Sequence, residues 1–445
     1  MKKKYPLGYL LTGFIIFILI GAFWFIFRAQ IEGVDPEIQI SGIGNYIGMN
    51  QALEVTVTDR RAGIRKVDIS LIQDGTTHSI SSTEIPRGGT AELMIAATIR
   101  PHQLKLKEHQ AQLIISAVDH SWRKNTALIN RPVVIDTTPP RISLLTPTNY
   151  LNPGGTGVIS YKSSEPLAVH GVMVNETFSS GYPAQPDKDM MIAYFPLPQA
   201  AKQGVMKIMV VAEDPAGNRS QISLPHLIRE KKITHDKMVL SDQFLQSKMP
   251  EFEARFSELK GKTPIEIFVY VNDRMRQDNF RQIQVISSKT SLKQHWQGPF
   301  LRMHNASPMA SFGEKRTYLY EGKAVGESVH AGVDLASTTN APIQAANNGI
   351  VAFTGYLGIY GNTVIIDHGF GLLSLYSHLN DITANDGQAV NKGDIIGTSG
   401  VSGLAGGDHL HFSIIVGGQF VEPKEWWDPK WIADNVTKKL AGIVQ

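Results

Sequence analysis

Cysteine is missing altogether from these 445 residues. That excludes disulfide scaffolds, thiolate zinc fingers, iron–sulfur clusters and cysteine nucleophiles, so any metal must be held by His, Asp or Glu. A charge excess is missing too. The 43 Lys and Arg residues stand against 40 Asp and Glu, a formal net charge of +3, and nucleic acid is not an expected partner. What the chain does have is 42% hydrophobic residues, enough for real cores, together with 40 glycines and 23 prolines. Such a composition suits short strands joined by turns, so the expected fold class is mainly β.

The long apolar run covers residues 7–27, uncharged and closed by Arg28. As a helix at ~1.5 Å per residue it reaches ~31 Å, about one hydrocarbon core. It ends in the bulky Phe23, Trp24, Phe25 and Phe27 where a cleaved signal peptide would carry small residues, and Lys2, Lys3 and Lys4 precede it. The expectation is a transmembrane signal anchor over residues 1–30, with its tip in the cytoplasm and the bulk of the chain in the periplasm, beyond the inner membrane. Without those three lysines the formal charge falls to zero, so bulk attraction to an anionic wall is not expected.

Residues 36–136 and 137–228 read as two similar units. Leu53, Val55 and Val57 alternate with polar neighbours at the period of a half-buried strand. SAVDHSWRKN (116–125) is echoed by VAEDPAGNRS (211–220), and IDTTPPR (135–141) joins the two. The units resemble bacterial immunoglobulin-like β-sandwich domains, which implies either a spacer or a module recognising a protein partner. Asp119, Glu213 and Asp214 are read as turn caps, with calcium ligation as the alternative. Residues 229–300 read as a small α+β connector. Phe244, Leu245, Met249, Phe252, Phe256 and Leu259 recur at helical spacing, interrupted by Pro250, and PIEIFVYV (264–271) is strand-like.

Chemistry concentrates further on. Five of the 14 histidines lie between His330 and His411. In HAGVDLA (330–336), His330, Gly332 and Asp334 share one face of an extended backbone, with no side chain on Gly332 to fill the space between. His409 and His411 share a face in GDHLHFSII (407–415), while Leu410, Phe412 and Ile414 point to a core. In LLSLYSHL (372–379), Ser374, Tyr376 and His378 face away from Leu373 and Leu375. Two His and one Asp suit a catalytic zinc, since three protein ligands leave a fourth position for water. The remaining two histidines are then available for proton transfer and charge stabilisation.

Residues 301–423 resemble the lysostaphin/LytM-type zinc metallopeptidases, a peptidoglycan endopeptidase family. The stretches that carry the likeness are FGEKRTY (312–318), HAGVDLA, APIQAANNGIV (341–351), GIYGNTVIIDHG (358–369), LYSHL (375–379), GQAVNKGDIIGTSG (387–400) and GGDHLHF (406–412). The resemblance implies a C-terminal antiparallel β metallopeptidase domain. His330, Asp334 and His411 become the Zn2+ ligands and His378 and His409 the catalytic pair, with their division of labour left open. It implies hydrolysis of amide bonds in peptidoglycan crosslinks, by default D-alanyl–diaminopimelate in a thin-walled bacterium. Some relatives of this fold are catalytically silent regulators of other wall hydrolases, which is the alternative; this chain keeps all five residues. His368 is assigned to structure, and Tyr318 and Tyr320 either to substrate contact or to strand packing. Residues 424–445 are expected to form a surface helix docked through Trp426, Trp427 and Trp431.

Overall fold

A computed structural model describes residues 7–30, 33–146, 148–184 and 189–441. The first helix, α1, spans Leu7–Gln30, and its side chains are described for residues 11–24, all exposed. Among the described residues no helix is long and apolar enough to cross a membrane. The described side chains of α1 fall short of the ~20 residues a span requires, and Lys2, Lys3 and Lys4 lie outside the described residues.

The chain divides into two compact units, residues 1–140 with 213–219 and residues 141–212 with 220–445. In the first, a three-stranded sheet (Glu37–Ser41, Gln51–Thr58, Glu92–Ile99) and a five-stranded sheet with His109–Asp119 near its centre enclose one core. The alternation read at residues 52–58 is realised, with Leu53, Val55 and Val57 buried against Leu113, Ile115 and Ala117 of the other sheet. The Asp119 carboxylate accepts from Ser121 N and Oγ and from Asn125 Nδ2, and Asp214 accepts from Ala216 N, Asn218 N and Asn218 Nδ2. Both act as turn caps.

The second unit contains a seven-stranded sheet built from strands between Ile142 and Ser223, then the helical connector, then a ten-stranded sheet between Ser307 and Val421. The connector opens with strand β1 (His235–Val239), which pairs in parallel with β2 (Lys315–Tyr320). Helices α2 (Asp242–Arg255), α3 (Pro264–Tyr270) and α4 (Arg276–Ser287) follow. Two expectations are corrected here. PIEIFVYV starts a helix: Thr263 and Glu266 form a reciprocal capping box and Pro264 occupies the first turn, local signals that outweigh the strand-like composition. Pro250 does not interrupt α2, whose Leu245, Met249 and Phe252 are buried on both sides of it.

The centre of the large sheet is the antiparallel run β3 (Val333–Ala336), β6 (Leu410–Val416), β5 (Leu372–Ile382) and β4 (Asn362–Gly369). Both faces are covered. Ile365, Leu373, Leu375 and Ile415 pack under the connector helices. Val364, Ile366, Phe412 and Ile414 pack with Trp296, Phe300 and Trp426, and with Tyr182, Ile192 and Tyr194 from the seven-stranded sheet. The second segment, read as a spacer or a recognition module, thus shares a core with the ten-stranded sheet. The tail is helical as expected but interrupted once: Pro423–Trp427 ends at Asp428, which caps a new helix with Pro429 at its first position, and this runs through Pro429–Ile432, Ala433–Thr437 and Lys438–Ala441. Trp426 is fully buried, and its Nε1–H donates to Thr156 Oγ1 at 3.2 Å. The neighbouring Glu425 carboxylate accepts from Asn152 Nδ2 at 2.7 Å and Thr156 N at 2.8 Å.

Candidate metal centre

Strand register brings the first two site residues together. Asp334 of β3 lies directly opposite His411 of β6, so their side chains leave the same face of the sheet. His330, just before β3, is fixed by two backbone bonds, its N–H to Glu314 O and its C=O from Gly313 N. The result is a tight trio: His330 Nε2 is 3.0 Å and His411 Nδ1 2.8 Å from Asp334 Oδ1, and the two nitrogens are 3.1 Å apart. Gly332 is needed for a reason different from the one its spacing suggested. A Cβ there would stand 2.4 Å from Phe412 O and 2.8 Å from His411 Nε2, so the glycine makes room for β6 and the back of the His411 ring.

The outer nitrogens decide what the inner ones can do. His330 Nδ1–H donates to Ser311 O at 2.9 Å, which leaves Nε2 of the neutral ring as a lone pair aimed at a carboxylate oxygen. His411 Nε2 lies 3.0 Å from Ser413 Oγ, which can accept its proton and leave Nδ1 as a second inward lone pair. Three acceptor atoms in van der Waals contact repel unless a cation lies among them. These residues fit a metal ion: two imidazoles and a carboxylate, with the rings oriented by hydrogen bonds from behind.

His378 reaches the same place by an irregularity. Along β5, Tyr376 lies opposite Phe412 and Ser377 opposite His411, so strict alternation would send His378 away from the trio with Ser374 and Tyr376. Between the pairs Asn362–Leu379 and Val364–Tyr376, however, β5 carries one extra residue, and His378 adopts φ 63°. This bulge turns the imidazole to the site. Its Nδ1–H donates to Ser402 O at 2.8 Å, and its ring centroid is 4.8 Å from that of His409. His409 Nδ1–H donates to Gly407 O at 2.8 Å while its Nε2 lies 3.6 Å from Asp334 Oδ1. All five residues singled out in the sequence therefore converge. Ser374 and Tyr376, read as sharing the His378 face, lie on the far face, where Tyr376 Oη donates to or accepts from Ser374 Oγ and accepts from Ala346 N.

Burial pushes the His411 imidazole down to about 4 and His378 well below the ordinary range, where repulsion from His409 and His411 adds to it. Both rings are accordingly neutral near pH 7. With no cation among them, the alternative is that His330 and His411 turn their protons inward; burial would raise the Asp334 carboxyl, but hydrogen bonds donated by the two rings outweigh it and hold the group well below the usual carboxylate range.

The site opens into a groove of about 440 Å³, within the usual size of small-ligand sites. Its walls include residues that sequence reasoning did not place at the site: Arg316, whose Nη2 is 3.5 Å from Asp334 Oδ2 and from Glu314 Oε2, Tyr360, and the connector residues Leu240, Phe244, Phe268 and Arg276. Arg316 lies within FGEKRTY, but no spacing rule ties it to Asp334. His368 is buried between Asn348 O and Ser374 Oγ, a structural role as read. Tyr318 lines the groove while its hydroxyl bonds Ser328 Oγ, and Tyr320 donates to Asp242, so both hydroxyls are engaged within the protein.

This part of the chain, residues 328–423, matches the profile of Peptidase family M23. It is 38% identical over 95 residues to the DD-carboxypeptidase/endopeptidase Mpg of Neisseria meningitidis serogroup B, covering 21% of this chain and 22% of the relative. It is 36% identical over 110 residues to the peptidoglycan DD-endopeptidase ShyA of Vibrio cholerae, covering 25% of each. The match thus spans about a quarter of these relatives' length. Among solved structures, the lysostaphin catalytic domain from Staphylococcus simulans aligns with a TM-score of 0.24 and 25% identity, over 28% of this chain and 92% of that one. A zinc-containing peptidase from Vibrio cholerae aligns with a TM-score of 0.28 and 12% identity, over 71% and 80%.

Proposed function

We propose that the protein is a membrane-anchored zinc metalloendopeptidase that hydrolyses amide bonds in peptidoglycan peptide crosslinks. The observation that carries this reading is the convergence of His330 Nε2, Asp334 Oδ1 and His411 Nδ1 within 3.1 Å of one another, backed by Ser311 and Ser413. These three residues would hold the zinc, which when bound supplies Lewis acidity and lowers the pKa of water to ~7. His378 and His409 each keep Nδ1–H on a carbonyl, so each presents Nε2 as a base on the groove side. One removes the proton from the attacking water and then returns that proton to the leaving amine; the other, when it carries a proton of its own, stabilises the tetrahedral oxyanion. The relative named as a peptidoglycan DD-endopeptidase supports the choice of substrate.

The anchor is supported by the apolar run at residues 7–27, carried on one continuous helix, and by the lysines before it. It places the bulk of the chain in the periplasm. A catalytically silent wall-binding protein is disfavoured, since such a protein has no need of all five residues in one geometry.

The test is digestion of purified sacculi by wild type, His330→Ala and His409→Ala, with products identified by mass. Wild type should release uncrosslinked stem peptides and both variants almost none. Equal release by all three refutes the assignment. Alkaline extraction of membranes, with and without residues 1–30, tests the anchor.

A further inference from the structure

Two arginines line the groove beside the histidines, and they differ in their charge environment. Arg316 sits between Glu314 and Asp334, each 3.5 Å from its Nη2, so its charge is matched within the protein. Arg276 comes from α4, in the connector and outside residues 328–423. Its Nε–H donates to Asn272 O at 3.1 Å and its Nη2–H to Asn272 Oδ1 at 3.0 Å. Both acceptors are neutral, and among the described residues no carboxylate lies within ion-pair distance of Arg276.

Asn272 is buried and is itself tied down, its Nδ2–H donating to Glu327 O at 3.1 Å. One side of the guanidinium fork is therefore clamped, and the other side, Nη1 with the second hydrogen of Nη2, has no hydrogen-bond partner among the described residues. That free side is the pair of donors that binds a carboxylate bidentately. The groove wall also carries Leu240, Phe244 and Phe268, together with the carboxylates of Asp236, Glu314 and Asp334, none of them within ion-pair distance of Arg276. The turn that delivers Arg276, Val271–Met275, is π-helical, a distortion concentrated at functional sites.

We propose that Arg276 receives a free carboxylate of the peptide substrate, so that the connector, as well as residues 328–423, selects what is cut. The inference rests on the endopeptidase reading. A crosslinked peptide offers two sources of this chemistry, the C-terminal carboxylate of a stem and a side-chain carboxylate of a diamino acid residue.

Three crosslinked peptide dimers separate them: one with all carboxylates free, one amidated at the C-terminus and one amidated at the side chain. With the full chain, one of the two amidated dimers should show a KM raised about tenfold or more with kcat little changed, the scale of a lost charge-assisted hydrogen-bond pair. Arg276→Gln should show the same raised KM on the free acid and no further penalty on that amide, with Arg276→Lys intermediate. An active wild type that cuts all three dimers with one KM overturns the inference alone. So does Arg276→Gln retaining the wild-type preference. Wild type inert on all three overturns the endopeptidase reading together with this one. Comparison of the three dimers by wild type decides the matter even where a variant fails to fold.

Discussion

Glu425 offers the sharpest quantitative test of how the second unit is held together. Its carboxyl is 6% exposed, wedged between the tail and the seven-stranded sheet. Burial raises its pKa from 4.5 to about 7, against the lowering effect of the Asn152 and Thr156 hydrogen bonds. A folded-state value above the unfolded one means that the folded protein holds the proton more tightly. Stability from this group is then complete below pH 4.5 and is lost as pH rises through about 7. The difference of about 2.5, at about 1.36 kcal/mol for each pH unit, amounts to about 3 kcal/mol. Glu425→Gln removes the titration while keeping the shape, because Asn152 can turn its amide to accept from the new one. The variant should match wild type at pH 4.5 and exceed it at pH 8 by on the order of 5–10 °C in melting temperature. Melting curves followed by circular dichroism from pH 4 to pH 8 measure this directly. Parallel curves, or a variant less stable at pH 8, would refute the reasoning and show that the two hydrogen bonds favour the charged form.

Other outcomes follow from the same contacts. Trp426→Ala, in the fully buried cluster with Trp296 and Phe300, should lower unfolding stability by about 3–5 kcal/mol, measured by urea melts. Ser413→Ala removes the hydroxyl behind His411 and should weaken zinc affinity about 10–100-fold in chelator competition while leaving the melting temperature little changed. Gly332→Ala drives a methyl into Phe412 O and His411 Nε2 and should abolish hydrolysis of sacculi together with metal retention. A fragment of residues 301–423 alone leaves both sheet faces bare and should show no cooperative melt, whereas residues 141–441 should.

The trio was legible because it depends on residue type and register. Asp334 and His411 sit opposite each other on regular strands, and period-two alternation predicts which face they share. Alternation singles out His378 but assigns it to the wrong face, beside Ser374 and Tyr376, and only the extra residue in β5 corrects it; its expected role came from the family resemblance. A bulge has no composition of its own, so nothing in LLSLYSHL announces it. The strand reading of PIEIFVYV failed for a related reason. Its β-branched and aromatic residues argue for a strand, while the decisive information lies in the Thr263–Glu266 cap at the border of the segment. Arg276 and Arg316 were missed because no spacing rule brings either to the groove: Arg316 meets Asp334 18 residues further on, and Arg276 comes from a helix outside the segment that carries the resemblance.

The shared core changes what the middle of the chain is for. Had residues 141–228 been a spacer, their inward faces would close on themselves. Instead Tyr182 stacks on Phe370 at 5.2 Å, and Tyr194 packs on Trp426 at 6.1 Å. The opposite face of the sheet is covered by α2–α4, and the groove wall is drawn from α2, α3 and α4. Each face of the catalytic sheet is thus closed by a segment that lies outside residues 328–423, and the connector helices on the site's face also line the groove. A substitution in α2 or α3 that shifts Phe244 or Phe268 would change the shape of the groove without touching His330, Asp334 or His411. Substrate preference can therefore diverge through the connector while His330, Asp334, His378, His409 and His411 stay fixed, because the sheet that holds those five takes its register from backbone pairing and not from the helices above it.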